Sequence, residues 1–228
     1  MNLDETFLMR DAVPPQLTGD TVQLGAFQER SVVAGPGTRA VVWVAGCLRR
    51  CPGCMKPELF GFDAGTAVPV SELASRISTI AGLDGVTFSG GEPFEQANAL
   101  GSLCRELRRA GLNTLVYSGY SLEALRDDLP RFGSLLNEID FLIDGEYRHE
   151  LPGPFRWRGS QNQAIYDMRR DERIHLADDD GLREMQLTIG SDGIRFTGFP
   201  SSAILQQLTE SLERRGVQIA PTLNEGWV

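Results

Sequence analysis

Three of the chain's four cysteines fall within eight residues, in the segment Gly46-Cys47-Leu48-Arg49-Arg50-Cys51-Pro52-Gly53-Cys54. A disulfide framework spreads its cysteines along a small secreted chain. Thiols crowded into one loop point instead to a metal or an iron–sulfur cluster. Such a loop needs a rigid mount, and the run just before it supplies one. Residues 39–45 (RAVVWVA) are rich in β-branched and apolar side chains without alternation, the pattern of a strand buried on both faces.

The following pattern alternates strands with helices. Residues 70–81 place Val70, Leu73, Ala74, Ile77 and Ile80 on one face of a predicted helix that starts behind Pro69. A strand over 85–89 runs into Gly90 and Gly91. A helix over 94–110 carries Ala97, Leu100, Leu103, Cys104 and Leu107 at helical spacing, and Gly111 ends it. A strand over 113–118, a short helix over 121–129 and a strand over 139–144 complete the body. Alternation of this kind predicts an α/β fold of right-handed βαβ units with a mostly parallel open sheet. Ligands of such sheets gather beyond the carboxyl ends of the strands. The cysteine loop, the Gly90-Gly91 turn, Ser118-Gly119-Tyr120 and Asp144 each follow a strand, so they are expected to converge on one edge.

Three regions are expected. Residues 1–20, with Pro14, Pro15 and Gly19, read as an irregular arm, and residues 21–170 as the core domain. Residues 171–228 read as an extension with an acidic turn at Asp178, Asp179 and Asp180, a β-hairpin over 184–199 turning at Ser191-Asp192-Gly193, and a helix over 202–215.

Composition narrows the partners. A net charge of −9 argues against a nucleic-acid binder that works by neutralising phosphates. The basic pairs Arg49-Arg50, Arg108-Arg109 and Arg169-Arg170 read as solvated faces. No apolar run approaches the roughly 18 residues that span a bilayer. The first ten residues lack the basic and apolar regions of a signal peptide, so a cytoplasmic location is expected.

The C-x3-C-x2-C loop suits a [4Fe–4S] cluster. A cubane takes four ligands, and three thiolates leave one iron open for an amine and a carboxylate to chelate. The competing reading is a structural zinc site, completed by His149, His175 or Cys104. Cys104 lies on the apolar stripe of its helix and suits a buried, inert thiol, and His149 suits the surface.

The cysteine loop followed by Ser89-Gly90-Gly91-Glu92-Pro93 resembles the signature of the radical S-adenosylmethionine (SAM) superfamily. In detail the chain is most similar to the activating proteins of glycyl-radical enzymes, those of anaerobic ribonucleotide reductase among them. Gly35-Pro36-Gly37-Thr38-Arg39 resembles that family's Gly-Pro-Gly-x-Arg, and Tyr117-Ser118-Gly119-Tyr120 its segment after a strand. Ile139-Asp140 through Asp144-Gly145 resembles its aspartate–glycine strand, and Arg158-Gly159-Ser160-Gln161-Asn162-Gln163 its Arg-Gly-Ser-x-Asn-Gln. The chain departs from the pattern at Gly53, where many members of the superfamily carry an aromatic. It departs again at Met55-Lys56, where the activators commonly have an aromatic or His and then Asn, and in its continuation beyond residue 170.

The resemblance implies a partial (β/α) barrel with the C-terminal hairpin and helix added. It implies a [4Fe–4S] cluster on Cys47, Cys51 and Cys54 that cleaves SAM reductively to methionine and a 5′-deoxyadenosyl radical. Gly90, Gly91, Glu92, Pro93, Ser118, Asp144 and Arg158 would surround SAM, and Asn162 and Gln163 would meet a docked peptide. The implied partners are a glycyl-radical enzyme and an electron donor of the flavodoxin or ferredoxin type. Read alone, Gly90-Gly91 also suits an ordinary turn, Ser118 a strand-end cap, Asp144 an Asp-Gly turn, and Asn162-Gln163 a packed polar loop. Two other functions fit parts of the sequence. One is a radical SAM enzyme acting on a small molecule or a ribosomal peptide, which residues 171–228 favour. The other is a non-enzymatic iron–sulfur or zinc module.

Overall fold

The computed structural model describes residues 19–153, 155–176, 184–190, 193–199 and 202–216. Most of the expected arm, the acidic turn at 178–180 and the hairpin's Ser191-Asp192 lie outside the described residues. The chain opens with β1 (Thr21–Ser31), β2 (Arg39–Val44), β3 (Thr66–Pro69) and α1 (Val70–Ser78). Next come β4 (Gly85–Gly90), α2 (Ala97–Arg109), β5 (Asn113–Tyr117), α3 (Leu122–Asp127), α4 (Leu129–Leu136) and β6 (Phe141–Asp144). It closes with β7 (Ala164–Asp167), β8 (Glu172–Ile174), β9 (Met185–Gly190), β10 (Gly193–Gly198) and α5 (Ser202–Glu213).

Eight strands form one mixed sheet in the order β3-β1-β2-β4-β5-β6-β7-β8, and β9 and β10 form a separate hairpin. The parallel part is confined to the centre, where Val42 stands beside Phe88, Phe88 beside Val116 and Val116 beside Leu142. Both flanks are antiparallel: β1 and β3 on one side, β7 and β8 on the other. The parallel sheet expected from the crossover helices holds for β2, β4, β5 and β6, and the flanking strands make the whole sheet mixed. The links from β1 to β2 and from β7 to β8 are short and carry no helix, which suits antiparallel neighbours.

Alternation along β2 separates two faces. Val42 and Val44 join Val86, Phe88, Val116 and Leu142 against Leu73, Ile77, Leu100, Leu103, Leu107 and Leu135 of the helices, forming the main core. Val41, Trp43 and Ala45 point the other way with Leu59, and Leu115, Ile143 and Ile165 continue that second face. At the amino end of the parallel strands Arg39 is fully buried. Its guanidinium donates to Thr87 Oγ1, Val86 O, Asn113 Oδ1 and Pro36 O at 2.7–3.1 Å. The Gly-Pro-Gly-x-Arg segment is therefore a staple at the end of the sheet away from the cysteines. No helix among the described residues is long and apolar enough to cross a membrane.

Candidate active site

The carboxyl ends of β2 and β4 are locked together by backbone. The Gly91 N–H donates to Val44 O at 2.6 Å, and Glu92 N–H donates to Gly46 O at 2.8 Å. Gly91 is required by that contact, since a Cβ there would sit 2.4 Å from Gly46 O. Gly90 has φ +103°, and its Cβ would meet Val44 N and O at 2.6 Å. The two glycines thus interlock the turn with the cysteine loop, besides lying in the cavity wall described below. The far side of the loop is held by Gly46 N–H to Leu59 O at 2.8 Å and Cys47 N–H to Phe60 O at 3.0 Å.

One open cavity, of about 730 Å³ with its mouth included, collects these segments. Cys47, Cys51 and Cys54 line it with Gly90, Gly91, Glu92 and Ser118, so seven of the residues expected to hold the cluster and SAM meet at one place. Burial pushes all three thiols up. The Arg50 and Arg49 backbone N–H groups pull Cys47 the other way, and the Lys56 N–H, 3.4 Å from Sγ, does so for Cys54. Among the described residues no three donors converge on a single-ion position. The three thiols line a space instead, and among the described residues no His lines it. That donor set fits a [4Fe–4S] cubane bound through three irons.

Glu92 organises the next layer. Its carboxylate, 1% exposed, accepts from Ser118 Oγ at 3.0 Å, Gly119 N–H at 2.8 Å and Phe94 N–H at 3.0 Å. Burial raises its pKa to about 7 against the pull of those donors. Ser118 Oγ also accepts from Tyr120 N–H at 3.0 Å, which orders the turn after β5.

Three of the residues expected around SAM stand outside the cavity wall. Pro93 starts a 3-10 turn at Pro93–Gln96 and is buried there. Asp144 accepts from Leu122 N–H at 2.7 Å and Ala164 N–H at 3.3 Å, tying β6 to α3 and β7. Arg158 donates to Gln163 O at 3.0 Å and lies over the Phe155 ring at 4.3 Å. Gln163, expected to meet a peptide, lines the cavity and clamps the loop around it. It accepts from Gly159 N–H at 2.8 Å and donates to Gly145 O at 2.9 Å. Asn162 donates to Glu146 O at 2.7 Å. Cys104 is fully buried in α2. His149 is exposed, with Nδ1 3.3 Å from Pro52 O.

The reading of the basic pairs as solvated faces missed a cavity residue. Arg49 counts as half of a solvated basic pair, yet it lines the cavity. Its stem packs on Gly119, its guanidinium lies over the Tyr120 ring at 4.7 Å, and Nη2 is 3.7 Å from Glu146. Its Nε is buried without a hydrogen-bond partner among the described residues. Lys56 is the other missed cation. It is buried in the wall beside Glu58 at 3.3 Å, and burial lowers its pKa to about 8. Tyr147, Phe60 and Phe199 supply aromatic wall that no spacing in the sequence announces, beside Tyr117 of the Tyr117-Ser118-Gly119-Tyr120 segment.

Residues 33–166 match the model of the 4Fe-4S single cluster domain family. The chain is 31% identical over 150 residues to the anaerobic ribonucleoside-triphosphate reductase-activating protein of Salmonella typhi, covering 60% of this chain and 94% of that protein. The protein of the same name from Escherichia coli K12 is 30% identical over 147 residues, with 60% and 94% covered. Its namesake from Enterobacteria phage T4 is 33% identical over 142 residues, with 59% and 86% covered. The matched span holds all three clustered cysteines and the Gly90-Gly91 turn, and on it the chain belongs to the 4Fe-4S single cluster family of radical SAM activating proteins.

Proposed function

We propose that the chain carries a [4Fe–4S] cluster on Cys47, Cys51 and Cys54, binds SAM beside it, and installs a glycyl radical on a partner anaerobic ribonucleoside-triphosphate reductase. One observation carries this reading: a single cavity gathers the three thiols, the Gly90-Gly91 turn and Ser118. Bound there, the cluster supplies the electron that cleaves SAM into methionine and a 5′-deoxyadenosyl radical able to abstract a hydrogen atom. The chain's own residues hold and shield the reactants. Gly90 and Gly91 leave the wall free of side chains where the amino-acid end of SAM is received. Glu92 fixes Ser118 and Gly119 opposite that turn. Arg49 brings an unsatisfied Nε–H, and a guanidinium suits a carboxylate. Pro93, Asp144 and Arg158 serve one layer out, by holding the turn and strand ends that present the wall.

The fourth cysteine is solitary and buried, so the described chain offers no second cluster and the electron comes from outside, from a donor of the flavodoxin or ferredoxin type. In this reading the open sheet is the partial (β/α) barrel of the superfamily. The test is anaerobic reconstitution with iron and sulfide, reduction, and EPR with and without SAM, in the presence of the reductase. The expected result is a SAM-perturbed [4Fe–4S]+ signal, 5′-deoxyadenosine, and a glycyl-radical signal on the partner. Deoxyadenosine without that last signal would shift the substrate to a small molecule or peptide. About one zinc per chain with no cluster would overturn the reading.

A further inference from the structure

The family match ends at residue 166, but the cavity wall reaches further. Phe199, just beyond β10, lines the same cavity as the three thiols. Its ring lies 5.9 Å from that of Tyr117, tilted by 54°. It also covers Gly159, where a Cβ would come within 3.2 Å of Phe199 Cε1. Tyr117 is fixed in turn, because its hydroxyl donates to Trp157 O at 2.7 Å.

The hairpin that carries Phe199 is anchored to the core domain away from the cavity. Gln186 accepts from Val32 N–H at 3.0 Å and donates to Arg30 O at 3.0 Å. Arg156 forks onto the Glu184 carboxylate at 3.1 and 3.2 Å. The Thr197 hydroxyl donates to Gln28 Oε1, and both side chains are buried. These bonds hold β9 and β10 on β1 and on the segment before Trp157, and they place Phe199 where the core domain alone would leave the wall unfinished.

We infer that the C-terminal hairpin is a working part of the SAM site: Phe199 and Tyr117 form an aromatic wall against which the nucleoside of the ligand is buried. The inference rests on the SAM-dependent reading above. Its chemical ground is that the purine is the aromatic part of SAM, and its flat faces are best buried against aromatic side chains, which this wall supplies. The curated relatives are covered to 86–94% of their length by 142–150 aligned residues, and the family match ends at residue 166, so Tyr117 belongs to the shared domain while Phe199 is supplied by the added segment of the present chain.

The test uses the full chain with its cluster reconstituted and oxidised, so that SAM binds without turnover. Phe199→Ala is expected to weaken SAM binding in equilibrium dialysis by about 3- to 10-fold. Iron and sulfide per chain should stay unchanged, and Phe199→Tyr should restore affinity. Because the alanine variant risks loosening the hairpin, hydrogen exchange of the wild type gives a second reading. Amides of residues 193–199 should exchange more slowly when SAM is added. Equal affinity in wild type and Phe199→Ala, or no protection of 193–199, overturns the inference and leaves the hairpin a cover. A wild-type chain that takes up the cluster but binds no SAM overturns the functional reading as well, so the two failures are told apart.

Discussion

Glu92 receives three hydrogen bonds, yet burial outweighs them and raises its pKa from 4.5 to about 7. In the unfolded chain the carboxyl ionises near its ordinary value. Between those two pH values the unfolded state has released a proton that the folded state keeps, so stability falls as pH rises through the window. The contribution is full below pH 4.5 and gone above about 7, and amounts to something on the order of 3 kcal/mol. Denaturant midpoints of the cluster-free chain should therefore drop across that window, and Glu92→Gln should flatten the drop. A Glu92→Gln profile parallel to the wild type would assign the slope to other groups. The cysteines allow a sharper test. Cys47→Ala, Cys51→Ala and Cys54→Ala should each abolish cluster uptake, measured by iron content and visible absorption. Cys104→Ala should keep it, since that thiol is fully buried in α2 and burial pushes it up to about 12. Loss of the cluster on changing Cys104 alone would reverse the ligand assignment. The clustered cysteines were legible because their chemistry is encoded in spacing. Arg49 was not, because nothing local says that the loop folds it back over Tyr120. Asp144 was legible only as a polar residue at a strand end; which N–H groups it accepts from depends on α3 and β7 arriving beside it.

Elements were legible where one period holds over enough residues. β2 and α2 have continuous or helical patterns and lie close to their expected ranges. β1 escaped because its register against β2 shifts between Leu24 and Ala26 and again between Gln28 and Ser31, which breaks the alternation. β7 and β8 have four and three residues, too few to show a period. The single helix expected over 121–129 is instead α3 ending at Asp127 and a new helix, α4, whose first turn holds Pro130 and is capped by Asp128 on Arg131 N–H at 3.3 Å. Gly101 in α2 gives a test of packing against propensity. Alanine would favour the helix by up to about 1 kcal/mol. Its Cβ, however, would stand 2.0 Å from Ser134 O of α4, and forcing such a contact costs about 1–3 kcal/mol. The contact should win, so Gly101→Ala should lower the urea midpoint. A higher midpoint would mean that α2 and α4 part without cost.

At the scale of the molecule, the sheet is fastened at its two ends by different means. The amino end is closed by protein alone, through the buried Arg39 and its bonds to β4, β5 and Pro36. The carboxyl end carries the cysteine loop, held from one side by the Gly91 and Glu92 amides and from the other by residues 59 and 60. The main core, from Val42 and Phe88 to Leu103 and Leu135, contains no residue of the loop from Gly46 to Leu59. Removing the cluster should thus loosen one end and spare the rest. Stripping iron with a chelator should speed hydrogen exchange across residues 47–60 while the central amides of β2, β4 and β5 keep their protection. The holo chain should also melt at a higher temperature, because a group bound only by the folded state stabilises it. Loss of protection throughout the parallel strands would show instead that the cluster holds the fold together, and that Arg39 and the apolar core cannot hold the sheet without it.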